Sequence, residues 1–162
     1  MKIAVYPGSF DPITLGHLNI IKRASRLFDK IYVCVMINSN KAPTFSTEER
    51  VDFIRRVTAK FGNVEADSSD GLLVKYAKSK NASFIIKGLR MLSDFDMEFQ
   101  MALTNKKLEP SIDTAFLTAD EKYTYLSSTI VREMAKYKAD LSKFVPREII
   151  DDVVERLNNG KD

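Results

Sequence analysis

The sequence has few of the side chains that most often bind metals or form cross-links. Its 162 residues include one histidine, one cysteine and no tryptophan. One histidine and one cysteine cannot complete the nitrogen and sulfur shell of a zinc-type centre, so no metal-ligating residue is predicted. The lone Cys34 excludes a disulfide within the chain, and we expect a reducing compartment, the cytoplasm. Because Cys34 lies inside an apolar run, we predict that it is a buried core residue.

Two common phosphate-binding signatures and all long apolar segments are missing as well. The sequence contains neither a GxxxxGKS/T loop nor a GxGxxG fingerprint, which argues against ordinary kinases and dehydrogenases. The longest apolar run, residues 31–37, is too short to cross a bilayer. The N-terminus also lacks the apolar region of a signal peptide. We therefore expect no membrane partner.

The charge balance is only mildly basic. The net charge is +3 at pH 7, and 29% of the residues are charged. This balance suits small anionic ligands. No block of lysine and arginine with interleaved aromatic residues occurs, although nucleic-acid surfaces usually show one. We therefore expect no nucleic-acid partner.

Apolar runs and helical patterns alternate along the chain. Strands are predicted at residues 2–6, 31–37, 64–67, 83–87 and 114–118. Helices are predicted at 14–28, 47–60, 71–77 and beyond, 94–108, 128–137 and 146–157, with Gly160 after the last. The run 31–37 does not alternate, which is typical of a strand buried on both faces. The pattern predicts a single α/β domain over residues 1–162, a Rossmann-like, doubly wound, five-stranded parallel sheet.

Local signals mark several helix starts. Ser46 and Glu49 form a capping box, Ser93 is predicted to cap the fourth helix, and Pro146 suits the first position of the last one. Apolar stripes are predicted on the fourth and fifth helices: Phe95, Phe99 and Leu103, and Ile130, Met134 and Tyr137.

The first seventeen residues predict a phosphate-binding junction. Pro7 and Gly8 are expected to end the first strand, residues 9–12 form a loop, and TLGH at 14–17 opens a helix. Unpaired N–H groups and the dipole at a helix start favour anions. His17 lies there without a second histidine to share a metal. We predict that it donates a hydrogen bond to a phosphate or a developing oxyanion.

Further polar residues follow the ends of other strands, where ligands bind in open α/β sheets. Lys41 lies in the loop after the second strand, and Lys87 and Arg90 flank a glycine after the fourth. Residues 127–129, three hydroxyl side chains at a helix start, form a second plausible anion site. By pattern alone, Leu73 is a core residue and Glu98 is an ordinary surface charge with a possible ligand contact.

Several segments together resemble a known family. YPGSFDP at 6–12, followed by TLGH at 14–17, is similar to the first motif of the nucleotidyltransferase superfamily with the T/HxGH signature. The longer form of the motif resembles the bacterial phosphopantetheine adenylyltransferase family. Later matches are Lys41 and the segments 87–90, 94–102 and 123–132. The likeness runs in order from about residue 3 to 146.

This resemblance implies a reaction and an assembly. ATP and pantetheine phosphate would give dephospho-coenzyme A and pyrophosphate, reversibly and with Mg²⁺, in the penultimate step of coenzyme A synthesis. It also implies a homohexamer. The nucleophile would be a substrate phosphate oxygen, largely dianionic at neutral pH because its second pKa is near 6. No general base is then needed, which fits a sequence without a base–nucleophile pair.

The resemblance also assigns residues by position. His17 would be the catalytic residue, in contact with the α-phosphate. ATP would be bound by Ser9, Phe10, His17, Gly88, Leu89, Arg90, Glu98, Tyr123, Thr124, Tyr125, Leu126, Ser127, Ser128 and Thr129. Pantetheine phosphate would be bound by Ser9, Lys41, Leu73 and Lys87.

Two positions depart from the common pattern of the family. Many members have threonine at the position of Ser9, which supplies the same single hydroxyl. Many have arginine at the position of Lys87, and an ammonium lacks the planar fork of a guanidinium. We expect altered substrate affinity from Lys87 and no loss of activity.

Three other interpretations are open at this point. A sister nucleotidyltransferase would use CTP or act on nicotinate mononucleotide, but the Lys41 loop and the segment SSTIVR argue against it. A non-catalytic nucleotide-binding domain is disfavoured by the combination of His17, Lys41 and Arg90. A nucleic-acid-binding module is suggested by the basic pI of about 8.9 and by the GH signature that class I aminoacyl-tRNA synthetases share. The chain is too short for a tRNA-binding extension and has no KMSKS-like segment.

Overall fold

Five parallel strands form one sheet in the computed structural model, which describes residues 1–159. The strands are β1 (Ile3–Gly8), β2 (Lys30–Met36), β3 (Val64–Ser69), β4 (Phe84–Leu89) and β5 (Asp113–Thr118). Their order across the sheet is β3-β2-β1-β4-β5. The predicted five-stranded parallel sheet is confirmed.

Six helices cover the two faces of this sheet. They are α1 (Leu15–Ala24), α2 (Thr47–Thr58), α3 (Leu73–Ser79), α4 (Leu92–Leu108), α5 (Ser128–Lys136) and α6 (Ile150–Asn159). Single 3₁₀ turns occur at Glu121–Tyr123, Leu141–Lys143 and Arg147–Ile149. Helices α1, α2, α5 and α6 contribute to the larger core, and α3 packs in a smaller core on the opposite face. The doubly wound arrangement is therefore confirmed.

The strand order reverses between β1 and β4, and this reversal creates a crevice. β1 pairs with β2 along its whole length but with β4 only at Ala4 and Val5. Beyond Val5 the two strands separate toward their carboxyl ends. Pro7 lies in the part of β1 that does not pair with β4, where the missing N–H of proline is tolerated. A crevice at such a switch point is the usual ligand site of an open α/β sheet.

Both central strands run further than predicted. β1 continues through Pro7 and Gly8, which pair in register with Cys34 and Val35 of β2. β4 likewise continues through Gly88 and Leu89, which pair with β5. The prediction that glycine or proline ends these strands was wrong, because pairing with one neighbouring strand holds each of them extended.

Helix α1 ends four residues earlier than predicted. The Ser25 hydroxyl donates to the carbonyl of Lys22, and the amide of Asn63 donates to the carbonyls of Ser25 and Phe28, at 2.9 Å each. These hydrogen bonds satisfy carbonyl groups at the end of α1 and in the turn that follows it, so the chain does not need a further helical turn there. Leu27, in that turn, is exposed.

The start and the apolar stripe of α4 also differ from the prediction. The helix begins at Leu92, so Ser93 lies inside its first turn and does not cap it. The carboxylate of Asp94 instead accepts from the backbone N–H groups of Arg90 and Met91. Phe99 and Leu103 are substantially exposed, so the expected stripe does not form a buried face.

The last two helices are partly as predicted. The capping of α5 by Ser127 is confirmed, but its buried residues are Val131 and Ala135, and Tyr137 lies beyond the helix with 75% exposure. Pro146 precedes a 3₁₀ turn, and α6 begins only at Ile150. The predicted Gly160 after it lies outside the described residues. Within residues 1–159, no helix has the length and apolarity that a membrane crossing requires.

Candidate active site

Two clefts open side by side at the carboxyl ends of the strands. The His17 cleft has a volume of about 210 Å³ and includes residues from the ends of β1 and β4. The Lys41 cleft has a volume of about 520 Å³ and includes the loop after β2 and the start of α5. Ser128 lines both clefts, so the two clefts adjoin at the start of α5.

The start of α1 fixes the imidazole of His17. Thr14 is the N-cap, and its hydroxyl accepts from the His17 backbone N–H at 3.3 Å. The Thr14 backbone N–H in turn donates to Nδ1 of His17 at 3.0 Å. Because Nδ1 accepts this bond, the neutral ring carries its proton on Nε2. The predicted hydrogen-bond donor is thus held in one tautomer at the edge of the sheet.

The surroundings of His17 keep the ring uncharged. Burial, together with the nearby positive charge of Arg90, lowers the pKa of His17 from its ordinary 6.5 to about 4. At pH 7 the ring is neutral, so it acts as a hydrogen-bond donor and not as a cation. Tyr6 lines the same cleft, and burial raises its pKa, so its hydroxyl stays protonated.

Phe10 packs beneath the histidine in a strained backbone conformation. Its φ is 48°, in the left-handed region that a non-glycine residue seldom adopts. Its buried ring meets the His17 ring edge-on at 5.0 Å between centroids. A β-carbon on Gly8 would lie 3.0 Å from the Phe10 ring, tighter than ordinary contact, so glycine favours this close approach.

Arg90 connects β4, α4 and the loop before α5. Its Nη1 donates to the carbonyl of Leu126 at 3.1 Å, and its Nε lies 3.3 Å from the carboxylate of Asp94. The hydroxyl of Ser128 donates to the carbonyl of Pro12 at 2.7 Å. These contacts bring the start of α5 to the His17 cleft, where helix N–H groups are available to an anion.

Gly88 forms part of the floor of the His17 cleft. A β-carbon there would lie 3.2 Å from Ile20 and 3.6 Å from the hydroxyl of Tyr6. The absence of a side chain therefore keeps the space between β4 and α1 open to a ligand.

The Lys41 cleft carries more positive than negative charge. Three cations, Lys41, Arg50 and Arg132, line it together with one carboxylate, that of Asp11. Asp11 accepts from the backbone N–H groups of Thr44 and Phe45 at 2.9 Å each, so its charge is used to hold the loop. The cleft is suited to phosphate groups.

Three predicted residues lie in a different place. Lys87 and Glu98 lie between β4 and α4, with Nζ and Oε2 3.2 Å apart. That oxygen is buried and not aligned for a hydrogen bond, so the contact is ionic only. Leu73 packs partly buried beside the smaller core, as its pattern indicated. None of the three lines either cleft.

The other predicted residues divide between the two clefts. The His17 cleft contains His17, Gly88, Arg90, Tyr123, Leu126, Ser127 and Ser128, and the Lys41 cleft contains Ser9, Lys41, Ser128 and Thr129. Thr124 and Tyr125 line neither of them. Leu89 ends β4, and Phe10 supports His17 from below.

Sequence reasoning missed several lining residues. Tyr6 and Thr14 line the His17 cleft, and Arg50 and Arg132 line the Lys41 cleft. Tyr6, Thr14 and Arg132 lie inside the family-like motifs at 6–12, 14–17 and 123–132, so the sequence did carry a signal for them. Arg50 follows a capping box on a surface-like helix, and no local pattern distinguishes it from a solvated arginine.

Cys34 is not a candidate for chemistry. It is fully buried in the smaller core, as predicted, and burial raises the pKa of its thiol to about 11. The thiolate is therefore scarce at neutral pH.

Comparison with known proteins assigns the chain to a class. Residues 5–134 match the family model described as cytidylyltransferase-like, which is of the nucleotidyltransferase superfamily. A solved structure of a putative nicotinate-nucleotide adenylyltransferase from Vibrio parahaemolyticus has the same fold. Its TM-score is 0.67 at 21% identity, over 98% of this chain and 93% of that one.

Full-length relatives identify the family within this class. A phosphopantetheine adenylyltransferase from Caldanaerobacter subterraneus subsp. tengcongensis is 57% identical over 99% of this chain and 100% of its own length. One from Clostridium botulinum is 52% identical over 100% and 99%. The chain belongs to the phosphopantetheine adenylyltransferase family.

Proposed function

We propose that the protein transfers the adenylyl group of ATP to pantetheine phosphate, giving dephospho-coenzyme A and pyrophosphate. A phosphate oxygen of pantetheine phosphate attacks the α-phosphorus of ATP and forms a new P–O–P bond. The bond from the α-phosphorus to the α,β-bridging oxygen breaks, and its electron pair leaves with pyrophosphate. No proton must leave the dianionic nucleophile. Family membership over the full length supports this reaction.

The observation that carries the catalytic proposal is the hydrogen bond from the Thr14 backbone to Nδ1 of His17. It leaves an N–H at Nε2 as the donor of a neutral ring. In our proposal this N–H donates to a non-bridging α-phosphate oxygen as negative charge increases there. Because the donor is held in place before the reaction, it needs no reorganisation in the transition state.

The two clefts suggest how the reactants are arranged. We place the adenosine and α-phosphate of ATP in the His17 cleft, over Gly88, with Arg90 and the start of α5 at the leaving phosphates. Ser9 and Lys41 hold the attacking phosphate in the adjoining cleft. Leu73 and Lys87 contact the pantetheine side, and Glu98 lies near the nucleotide. Holding both reactants in line contributes much of the rate enhancement.

We propose that Mg²⁺ arrives with the nucleotide. Residues 1–159 contain no group of three histidine, cysteine or carboxylate side chains arranged to hold a metal. Mg²⁺ is commonly bound by substrate phosphates, waters and only one or two protein carboxylates. A site without a cluster of carboxylates is therefore compatible with an ion that arrives bound to ATP. When bound, the ion neutralises phosphate charge. The residues of this chain supply the remaining contacts to the phosphates.

The assembly and the location are also proposals. Helix α4 exposes a group of large apolar side chains: Leu92, Met97, Phe99, Met101, Leu103 and Leu108. Large apolar side chains exposed on one helix favour an interface, and we propose that copies of the chain meet at α4 in a homohexamer. The reduced, buried Cys34 fits our proposal of a cytoplasmic location.

A pyrophosphate-release assay with purified protein tests the reaction. We expect release with ATP and pantetheine phosphate together, and none with either alone. CTP as the nucleotide, or nicotinate mononucleotide as the acceptor, serves as the control. Release with one of these and not with the proposed pair would reject the assignment in favour of a sister enzyme.

A further inference from the structure

We infer that Arg50 is a positioning residue for the proposed adenylyl transfer: it holds loop 9–12 and, through Phe10, the imidazole of His17. The inference rests on the proposed function for its effect on turnover. Its effect on the histidine itself does not depend on which reaction the site performs.

Arg50 is unusually placed for an arginine. It lies on the first turns of α2 and is only 4% exposed. Its Nη1 donates to the carbonyl of Ser9 at 2.9 Å, its Nε to the carbonyl of Ser46 at 3.3 Å, and its Nη2 to the hydroxyl of Thr47 at 3.3 Å. One side chain therefore joins the start of α2 to the loop that follows β1.

All three acceptors are neutral oxygens. Within residues 1–159, no carboxylate lies within 4.0 Å of the Arg50 guanidinium. Burying a charge without a counter-charge is unfavourable for folding. Stability alone therefore does not explain a guanidinium here, whereas its planar fork does reach three separated oxygens at once.

The loop that Arg50 holds is fixed on its other side by α5. Arg132 donates to the carbonyl of Asp11 at 2.6 Å, and Ser128 donates to the carbonyl of Pro12. Phe10 lies between the Ser9 and Asp11 attachments with a φ of 48°. A residue in that region keeps its conformation only when its surroundings impose it. Releasing the Ser9 carbonyl therefore allows Phe10 to relax.

Relaxation of Phe10 changes the surroundings of His17. The two rings meet edge-on at 5.0 Å, and the Phe10 ring also fills the space above Gly8. If the ring moves, water reaches the imidazole. His17 then keeps its bond from the Thr14 backbone but loses the packing that fixes its direction.

The test compares Arg50→Lys with Arg55→Lys. Lysine keeps the charge and the aliphatic stem of Arg50, but it cannot reach the three oxygens together. Arg55 is on the same helix, is exposed, and lies 3.8 Å from Asp52 as its only ion-pair partner among the described residues. His17 is the only histidine in the sequence, so NMR reports its imidazole titration without overlap. Turnover, KM for ATP and the melting temperature are measured on the same samples.

We expect Arg50→Lys to move the titration of His17 from about 4 toward the ordinary value of 6.5. Turnover should fall on the order of tenfold to a hundredfold, because a misplaced group costs rate, while KM for ATP stays within about threefold. Arg55→Lys should match the wild type in every measurement. A folded Arg50→Lys protein with unchanged His17 titration and turnover would overturn the inference.

If Arg50→Lys does not fold, Arg50→Gln takes its place, because glutamine removes the guanidinium fork and leaves no buried charge. The same pair of shifts is then expected, and their absence counts against the inference in the same way. A wild type that forms no dephospho-coenzyme A would reject the proposed function, while the His17 titration would still test the hold of Arg50 on the imidazole.

Discussion

The backbone N–H of Thr14 donates to Nδ1 of His17 across 3.0 Å, so the N-cap of α1 determines which nitrogen of the imidazole carries the proton. The same residue also accepts from the His17 backbone through its hydroxyl. A reciprocal capping arrangement thus orients the side chain that the proposed mechanism needs. A capping role and a catalytic role are compatible because they use different ring nitrogens.

Replacing His17 by alanine should remove turnover and keep binding. The side chain is proposed to contact the α-phosphate mainly as charge develops, so its loss affects the transition state more than the ground state. We expect a decrease in kcat on the order of a hundredfold or more, with the Kd for ATP within about threefold. Pyrophosphate release and calorimetric titration measure the two quantities, and near-normal turnover would refute the assigned role.

Stability should fall on mild acidification because of the same histidine. The pKa of His17 is about 4 in the folded protein and ordinarily 6.5. Between these values the unfolded chain binds a proton that the folded chain does not, so the free energy of unfolding decreases as the pH falls. The contribution is complete above 6.5 and is lost progressively toward 4.

The measurement is chemical unfolding at pH 7.5, 6.5 and 5.5 for the wild type and His17→Gln. The wild type should lose more stability over this range than the variant, since carboxylates titrate alike in both. Equal slopes would mean that His17 is not held neutral by the fold.

Gly88→Ala should narrow the His17 cleft. The added β-carbon would lie 3.2 Å from Ile20, which is tighter than ordinary contact and lies against the proposed nucleotide site. We expect a higher KM for ATP and a loss of stability of about 1–3 kcal/mol from overpacking. Gly62→Ala is the control, because no atom lies within 4 Å of a β-carbon there. A similar KM in both variants would exclude Gly88 from the nucleotide site.

Strand periodicity and local capping signals were enough to predict much of this fold. The buried run before Ile37 and the Ser46–Glu49 capping box appear where expected, because each depends on neighbouring residues only. His17 lies at the carboxyl edge of the sheet, as predicted, because the helix that follows a parallel strand begins at the carboxyl end of that strand.

Long-range contacts explain what was missed. Arg50 meets Ser9, 41 residues away in sequence, and nothing in the local pattern of α2 indicates that contact. Phe99 and Leu103 have the spacing of a packed helix face, but the spacing alone does not distinguish a face buried in the core from an exposed apolar face. The sequence does carry one further signal, because alternation along β4 places Lys87 and Gly88 on opposite faces of the sheet.

Lys87→Arg should strengthen binding of pantetheine phosphate. A guanidinium offers a planar pair of donors to phosphate, whereas the present ammonium acts as a point charge beside Glu98. We expect KM for pantetheine phosphate to fall by up to about tenfold, the equivalent of roughly 1.4 kcal/mol, with KM for ATP unchanged. Lys106→Arg is the control, because Lys106 has a similar ion pair with Asp113 away from both clefts. An unchanged KM in Lys87→Arg would remove Lys87 from the substrate site.

Leu103→Glu should break the proposed assembly. Leu103 lies among the exposed apolar side chains of α4 and is 56% exposed, so a carboxylate there costs the isolated chain little but is unfavourable inside an apolar interface. Light scattering should give a hexamer for the wild type and a smaller species for the variant, with the same melting behaviour of the secondary structure at high dilution. Leu27→Glu is matched to it, because Leu27 has the same 56% exposure but lies alone after α1, and it should leave the mass unchanged. If Leu103→Glu keeps the wild-type mass, or if the wild type is a monomer, α4 is not the surface through which copies of the chain associate.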